Sequence, residues 1–206
     1  IIAAVSERED PSELLIIHKD CVDIKKRLSL KHNATVGTSS NRRKAQISAL
    51  RPDLEFDDLR GNLQTRMQKL RDEQYDAIVL AKAGISRIEM DISDFHVEEI
   101  PPVEIIPAPA QGVLAIQIRE VDQELFDALQ PLNNEEVSKT IAVERLVLNK
   151  FDAGCHAPLG CYCRKSGDEY EAWASIAETS EDFPDRVYLR DTDATRLAER
   201  IFSKYS

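Results

Sequence analysis

Apolar residues along the chain come in short runs, and between Ala34 and Ile88 one local order recurs: a strand-length apolar run, a turn containing glycine, then a helical stretch carrying arginine in or near its first turns. Ala34-Thr35-Val36 leads through Gly37-Thr38-Ser39-Ser40 into a helix predicted from about Asn41 to Leu50. Leu54 to Leu59 leads through Arg60-Gly61-Asn62 into a helix ending near Arg71, and Tyr75 to Leu80 leads through Ala83-Gly84 into a short helix holding Arg87. That alternation specifies an α/β sheet.

The pattern changes after Ile88. Pro101-Pro102 and Pro107-Ala108-Pro109 interrupt any regular element and predict a connector between domains. Beyond it, Val113 to Ile118 is apolar enough to be a buried strand, and Asp122 to Gln130 a short helix. Asn133 or Asn134 can cap a long helix to about Lys150, whose second half is apolar over most of its circumference and so is expected to be buried. Tyr162, Tyr170 to Glu178 and Val187-Tyr188-Leu189 predict strands of a small antiparallel sheet. Asp193 caps a last helix with Leu197, Ile201 and Tyr205 on one stripe, so the tail is expected to be a compact α+β domain. At the other end, Ile1 to Val5 reads as a strand, and a preceding segment is expected.

With 206 residues, 42% hydrophobic and 31% charged, the chain can bury a sizeable core in one or two domains. No apolar run approaches the roughly 18 to 20 residues of a membrane span, and no charged-then-apolar leader opens the chain, so neither insertion nor secretion is expected and the cytoplasm is the default. A formal net charge of −10 argues against nucleic acid or an anionic membrane as partner, but says nothing of a local cleft.

The arginines change that picture. Turns that follow the strands of an open α/β sheet gather at one edge, where helix N-termini present unpaired N–H groups. Arg42 and Arg43 follow the first strand of the recurring order, Arg60 and Arg66 the second, and Arg87 the third, with Thr38, Ser39, Ser40 and Asn62 as neutral donors. A guanidinium binds carboxylate or phosphate as a bidentate fork, so such a crevice implies a ligand with several anionic groups. The plain alternative is solvated helix surface paired with Asp57, Asp58 and Asp72. No Gly-x-x-x-x-Gly-Lys-Ser/Thr or Gly-x-Gly-x-x-Gly sequence supports nucleotide binding.

Of the 4 cysteines, Cys21 stands alone and Cys155, Cys161 and Cys163 lie close together, a poor disulfide framework that reads as thiols. Cys155 sits in a loop with Gly154, Pro158 and Gly160, where a thiol is open to act as nucleophile or attachment point; a small buried hydrophobe is the competing reading. Cys161-Tyr162-Cys163 puts both sulfurs on one face of a strand, a spacing unlike a zinc site, so these two are expected to pack and no metal is expected.

Taken in order, these segments resemble one family. Glu7-Arg8-Glu9-Asp10-Pro11, Val36 to Arg43, Leu59-Arg60-Gly61-Asn62 with Thr65-Arg66, Asp76 to Ala81 through Ala83-Gly84 to Arg87, Pro107 to Gly112, Glu144-Arg145, and Gly154-Cys155 through Pro158 to Gly160 are similar to hydroxymethylbilane synthases, also called porphobilinogen deaminases. The Gly-Thr-Ser-Ser-x-Arg-Arg, Leu-Arg-Gly-Asn and Gly-Cys segments are the most specific. Ala110 stands where the family usually has glycine, and Gln117 where it usually has glutamate.

The resemblance implies a periplasmic-binding-protein-like (type 2) α/β domain followed by a small α+β C-terminal domain with an antiparallel sheet. Residues 1–12 would be a remnant of a first domain and hinge, 13–106 the second domain, 107–130 a return segment belonging to the first, and 131–206 the domain of cofactor attachment. It also implies tetrapyrrole (heme and porphyrin) biosynthesis by a transferase. Porphobilinogen loses ammonia to give a methylene pyrrolenine that the free α-carbon of the growing chain attacks, and water finally releases hydroxymethylbilane. On that resemblance Cys155 holds a covalent dipyrromethane, with Arg42, Arg43, Arg60 and Ser40 on the cofactor, and Arg66, Arg87 and Asn62 on porphobilinogen and the growing polypyrrole chain.

The family's first domain, with the aspartate that manages protons on the pyrrole nitrogens, has almost no counterpart here, and His18-Lys19-Asp20 lies too late in the order to be its Lys-Asp segment. No catalytic residue is therefore expected within the chain, which alone should be a poor enzyme or an inactive one. The family is usually monomeric, whereas an orphaned strand at Val113 to Ile118 invites self-association. The rival reading is a non-catalytic anion-binding module on the same α/β domain, using the arginines but not the thiol.

Overall fold

The structure, a computed structural model, describes residues 1–151 and 157–205. Its central feature is a five-stranded sheet built from β2 (Glu13–Ile17), β3 (Thr35–Gly37), β4 (Glu55–Asp57), β5 (Ala77–Ala81) and β6 (His96–Ile100), in the order β4-β3-β5-β2-β6. Strand β3 runs parallel to β4 and β5, while β2 is antiparallel to both of its neighbours. One reversed strand inside an otherwise parallel sheet is the arrangement of type 2 periplasmic-binding-protein-like domains, as expected.

Helices α1 (Asn41–Leu50), α2 (Leu63–Arg71) and α3 (Lys82–Arg87) follow β3, β4 and β5. The continuous apolar runs in β2 and β5 exist because both faces of these strands are covered. Leu15, Ile17 and Val79 face Val36 and Ile47 on one side, while Leu14, Ile16, Ile78 and Leu80 face Met67 and Leu70 on the other. Fully burying each such Leu or Ile is worth about 1.5–3 kcal/mol.

In the tail, α5 (Glu135–Lys150) starts at Asn134, whose Oδ1 accepts from the N–H of Val137 at 3.0 Å. Strands β8 (Leu159–Ser166), β9 (Glu169–Ile176) and β10 (Asp185–Asp191) form an antiparallel sheet, and α6 (Ala194–Phe202) is capped by Asp193. One face of this sheet packs on α5 and α6 through Cys161, Cys163, Ala172, Ala174, Val143, Val147, Leu197 and Ile201. Tyr205 lies beyond the end of α6, but still packs against that cluster.

Hydropathy alone marks β7 (Ala115–Gln117) for burial, but among the described residues it pairs only with β1 (Ile2–Val5) and is exposed along its length, with Ile116 39% accessible, as expected of an orphaned return strand. β1 is buried through Ala3, Ala4 and Val5, where α4 (Gln123–Leu129) and α5 reach it. β7 has apolar residues, but the described chain supplies no layer over its face. Among the described residues no helix is long and apolar enough to cross a membrane.

Candidate functional site

The turns after β3 and β4 are tied together. The N–H of Thr38 donates to the carbonyl of Asp57 at 2.9 Å, and the Ser39 hydroxyl to that of Leu59 at 3.1 Å. Ser40 and Asn62, expected as ligand donors, are the N-caps of α1 and α2: Ser40 Oγ accepts from the N–H of Arg43 and Asn62 Oδ1 from that of Thr65. Each cap contributes about 1 kcal/mol, and the residue type immediately before each helix already pointed to that use.

Arg42 and Arg43 converge on a residue that sequence reasoning missed. The fully buried Glu13, at the start of β2, accepts from Arg42 Nη2 at 2.7 Å on one oxygen and from Arg43 Nη2 at 2.6 Å on the other. Burial opposes ionisation of Glu13, but the nearby charges of Arg43 and Arg42 outweigh it and hold the carboxyl below its ordinary range. A lone carboxylate opening the apolar run Leu14 to Ile17 was the available signal.

The two arginines differ in what remains open. Arg42 is 6% exposed, with Nη1 donating to the Ile106 carbonyl at 2.9 Å and Nη2 also within 3.4 Å of Gln111 Oε1; burial depresses its pKa. Arg43 donates through Nη1 to the Val79 carbonyl at 3.2 Å, and its Nε is buried without a partner. Arg66 lies close enough to Arg43 that burial and then the Arg43 charge lower its pKa, while its Nε donates to the Gly61 carbonyl at 2.8 Å. Arg60 is anchored elsewhere, 81% exposed and 3.5 Å from Asp58, and Arg87 reaches the Gly112 carbonyl at 2.8 Å. The described contacts therefore join Arg42 and Arg43 through Glu13, and none of them brings Arg60, Arg66 or Arg87 onto that pair.

A second buried carboxylate organises the passage to the tail. Glu144 on α5 accepts from Arg8 Nη1 at 2.6 Å, from the N–H of Ala110 at 2.6 Å and from the N–H of Cys163 at 2.7 Å. Burial raises its pKa despite Arg8. Gln111 extends the network, accepting from Arg8 Nε on its carbonyl at 3.0 Å and donating through Nε2 to the Pro11 carbonyl at 2.8 Å. Sequence reasoning met Arg8, Gln111 and Glu144 only as members of matching segments and assigned them no role.

The thiols among the described residues are all driven toward the neutral form. Burial pushes Cys163 up to about 12 and Cys161 well above its ordinary value; burial and then the carboxylate of Asp76, which accepts from its sulfur at 3.0 Å, push Cys21 up to about 12. Cys155, the expected attachment point, lies outside the described residues.

Comparison with known proteins agrees with this layout. The family model for the dipyromethane cofactor binding domain of porphobilinogen deaminase matches residues 1–127. Porphobilinogen deaminase of Fusobacterium nucleatum is 43% identical over 171 residues, covering 82% of this chain and 54% of that protein. That of Streptococcus sanguinis is 38% identical over 200 residues, covering 97% and 64%, and that of Bacillus subtilis 41% identical over 178 residues, covering 86% and 55%. The chain thus spans between 54% and 64% of the length of these relatives. Among solved structures, a Salmonella typhimurium periplasmic binding protein with high arginine specificity matches with 13% identity and a TM-score of 0.41 over 68% of this chain and 59% of that one, a likeness too slight to argue from. With the family model matched over more than half of its residues, the chain belongs to the porphobilinogen deaminase family.

Proposed function

We propose that these residues form the carboxylate-holding part of an enzyme that condenses porphobilinogen units, with loss of ammonia, into hydroxymethylbilane for tetrapyrrole biosynthesis. The observation that carries this is the pair in which Arg42 and Arg43 share the one carboxylate of Glu13, leaving the pair cationic in a chain of net charge −10. The orphaned Nε of Arg43 and the guanidinium of Arg66, which no carboxylate bridges among the described contacts, suit a group bearing several carboxylates. A dipyrromethane bound here would supply the free α-carbon from which the product chain grows.

In this proposal Cys155 carries that group through a thioether. Arg43 and Arg60 neutralise its carboxylates, while Arg66 and Arg87 orient porphobilinogen and the growing polypyrrole. Ser40 and Asn62 contribute by capping α1 and α2, which fixes the turns bearing these arginines. The division at residues 12, 106 and 130 belongs to the same reading: the junction around Glu144 joins the two connecting segments to the tail. A polypeptide limited to these 206 residues self-associates through Val113 to Ile118. The free thiols of Cys21, Cys161 and Cys163 suit the reducing cytoplasm.

Intact-mass measurement of the full-length protein tests this. An adduct of two linked pyrroles that disappears in Cys155→Ala, together with porphobilinogen consumption, is expected. An unmodified thiol with no consumption would replace this function with that of an anion-binding module.

A further inference from the structure

At the level of sequence Arg42 and Arg43 are equivalent, adjacent members of one motif. The structure separates them. Arg42 is enclosed, with donors on the Ile106 carbonyl, Glu13 and Gln111, so it braces α1 against the connector. Arg43 is fixed at one end only, by Glu13 and the Val79 carbonyl, and leaves Nε unpartnered. The group that divides them is Glu13, which gives one oxygen to each.

From this we infer that Glu13 is a positioning residue for anion recognition: it ties Arg42 into the frame as a strut and holds the Arg43 guanidinium in one place, so that Arg43 receives a ligand carboxylate. The inference rests on the polycarboxylate reading of the site. Its physical basis is preorganisation. A free arginine side chain has several rotamers to lose on binding, and two adjacent guanidiniums repel each other; a buried carboxylate that has already fixed one of them removes part of both penalties. Glu13 touches no ligand in this arrangement and acts through Arg43.

A competing role is simple charge balance, in which Glu13 only weakens the field of the cluster. The two roles give opposite signs for Glu13→Gln. Loss of a countercharge strengthens the field and tightens anion binding. Loss of a positioner weakens it, because the amide –NH2 of glutamine faces a guanidinium donor and turns one arginine away.

The test uses the full-length protein, with citrate as a tricarboxylate lacking a pyrrole, titrated by calorimetry, and porphobilinogen kinetics alongside. Glu13→Gln is expected to weaken citrate binding about tenfold or more, the scale of one charge-assisted hydrogen bond, and to raise KM for porphobilinogen more than it lowers kcat. Glu13→Asp keeps the charge but reaches only one arginine, so it should weaken citrate binding less than Glu13→Gln does; charge balance alone predicts no change. Aspartate therefore decides the matter if the glutamine variant does not fold. Citrate binding that is unchanged or tighter in these variants overturns the proposal, even if their melting temperatures fall, since that is what a purely structural role gives. If the wild type binds citrate but does not consume porphobilinogen, the enzymatic reading fails, and the citrate affinities of the variants still decide the role of Glu13. If the wild type consumes porphobilinogen but binds no citrate, the proposal fails and the enzymatic reading stands.

Discussion

The two buried carboxylates solve the same problem in opposite ways. Glu13 meets two guanidiniums and is held ionised, its pKa lowered; Glu144 meets one guanidinium and two backbone N–H groups, and its pKa is raised. Both are fully buried, so the difference lies in the charge opposite each. One cation and two neutral donors do not offset the desolvation of Glu144, whereas two cations more than offset that of Glu13. The consequence for stability follows the signs. The contribution of Glu13 is present above the ordinary glutamate value of 4.5 and is lost as pH falls through its lower folded value. That of Glu144 is fully present below 4.5 and is lost as pH rises through its higher folded value.

Removing partners should break this symmetry most strongly. Glu13→Ala strands two guanidiniums that cannot lose their charge, and is expected to destabilise the protein by about 3–5 kcal/mol, nearly independent of pH between roughly 5 and 8. Arg8→Ala leaves Glu144 without its cation, at a cost of about 3 kcal/mol that shrinks as pH falls and the carboxyl, whose pKa is already raised, takes up a proton. Denaturant unfolding across that range reads both. Equal pH dependence in the two variants would contradict the contrast between the two carboxylates.

The backbone around Glu144 offers a sharper, smaller perturbation. Gly112 has φ of +89°, and a Cβ there would lie 2.4 Å from the carbonyl oxygen of Glu9. Gly112→Ala must therefore push the two connecting segments apart and disturb Arg8, while Glu13 keeps its two short bonds. A loss of about 1–3 kcal/mol is expected, measured as a fall in melting temperature. If citrate affinity falls as much as it does in Glu13→Gln, the two sites are not independent.

Much of this could be read along the chain. The recurring strand, turn and helix between Ala34 and Ile88, and the caps Asn134 and Asp193, depend on local pattern, and the structure has them where expected. Hydropathy alone misplaces β7, because it states what a strand favours and not whether a layer exists to cover it; the exposure was legible only from the family order, which leaves that strand orphaned. The arginines were visible as a motif, yet their partner Glu13 is far from them in sequence, and only the antiparallel insertion of β2 between β5 and β6 brings it to α1. Ser40 and Asn62 show the reverse: their local capping role was already legible in the residue type before each helix, whatever else their remaining donors do.

The outer face of β7 supplies the mildest test of whether both carboxylates are self-sufficient. Ile116 is exposed and belongs to neither network, so Ile116→Lys in the 206-residue chain should alter unfolding stability by no more than about 0.5 kcal/mol. Its effect should appear in association instead. A lysine on an edge strand opposes pairing with a second strand, since burying the ammonium there has no partner to offset its desolvation. Sedimentation velocity should show the unmodified chain self-associating and the variant shifted toward monomer. If Ile116→Lys leaves association unchanged but lowers stability by as much as Gly112→Ala, then β7 supports the Glu144 junction from outside, and the two carboxylates differ in their dependence on neighbouring structure as well as in charge.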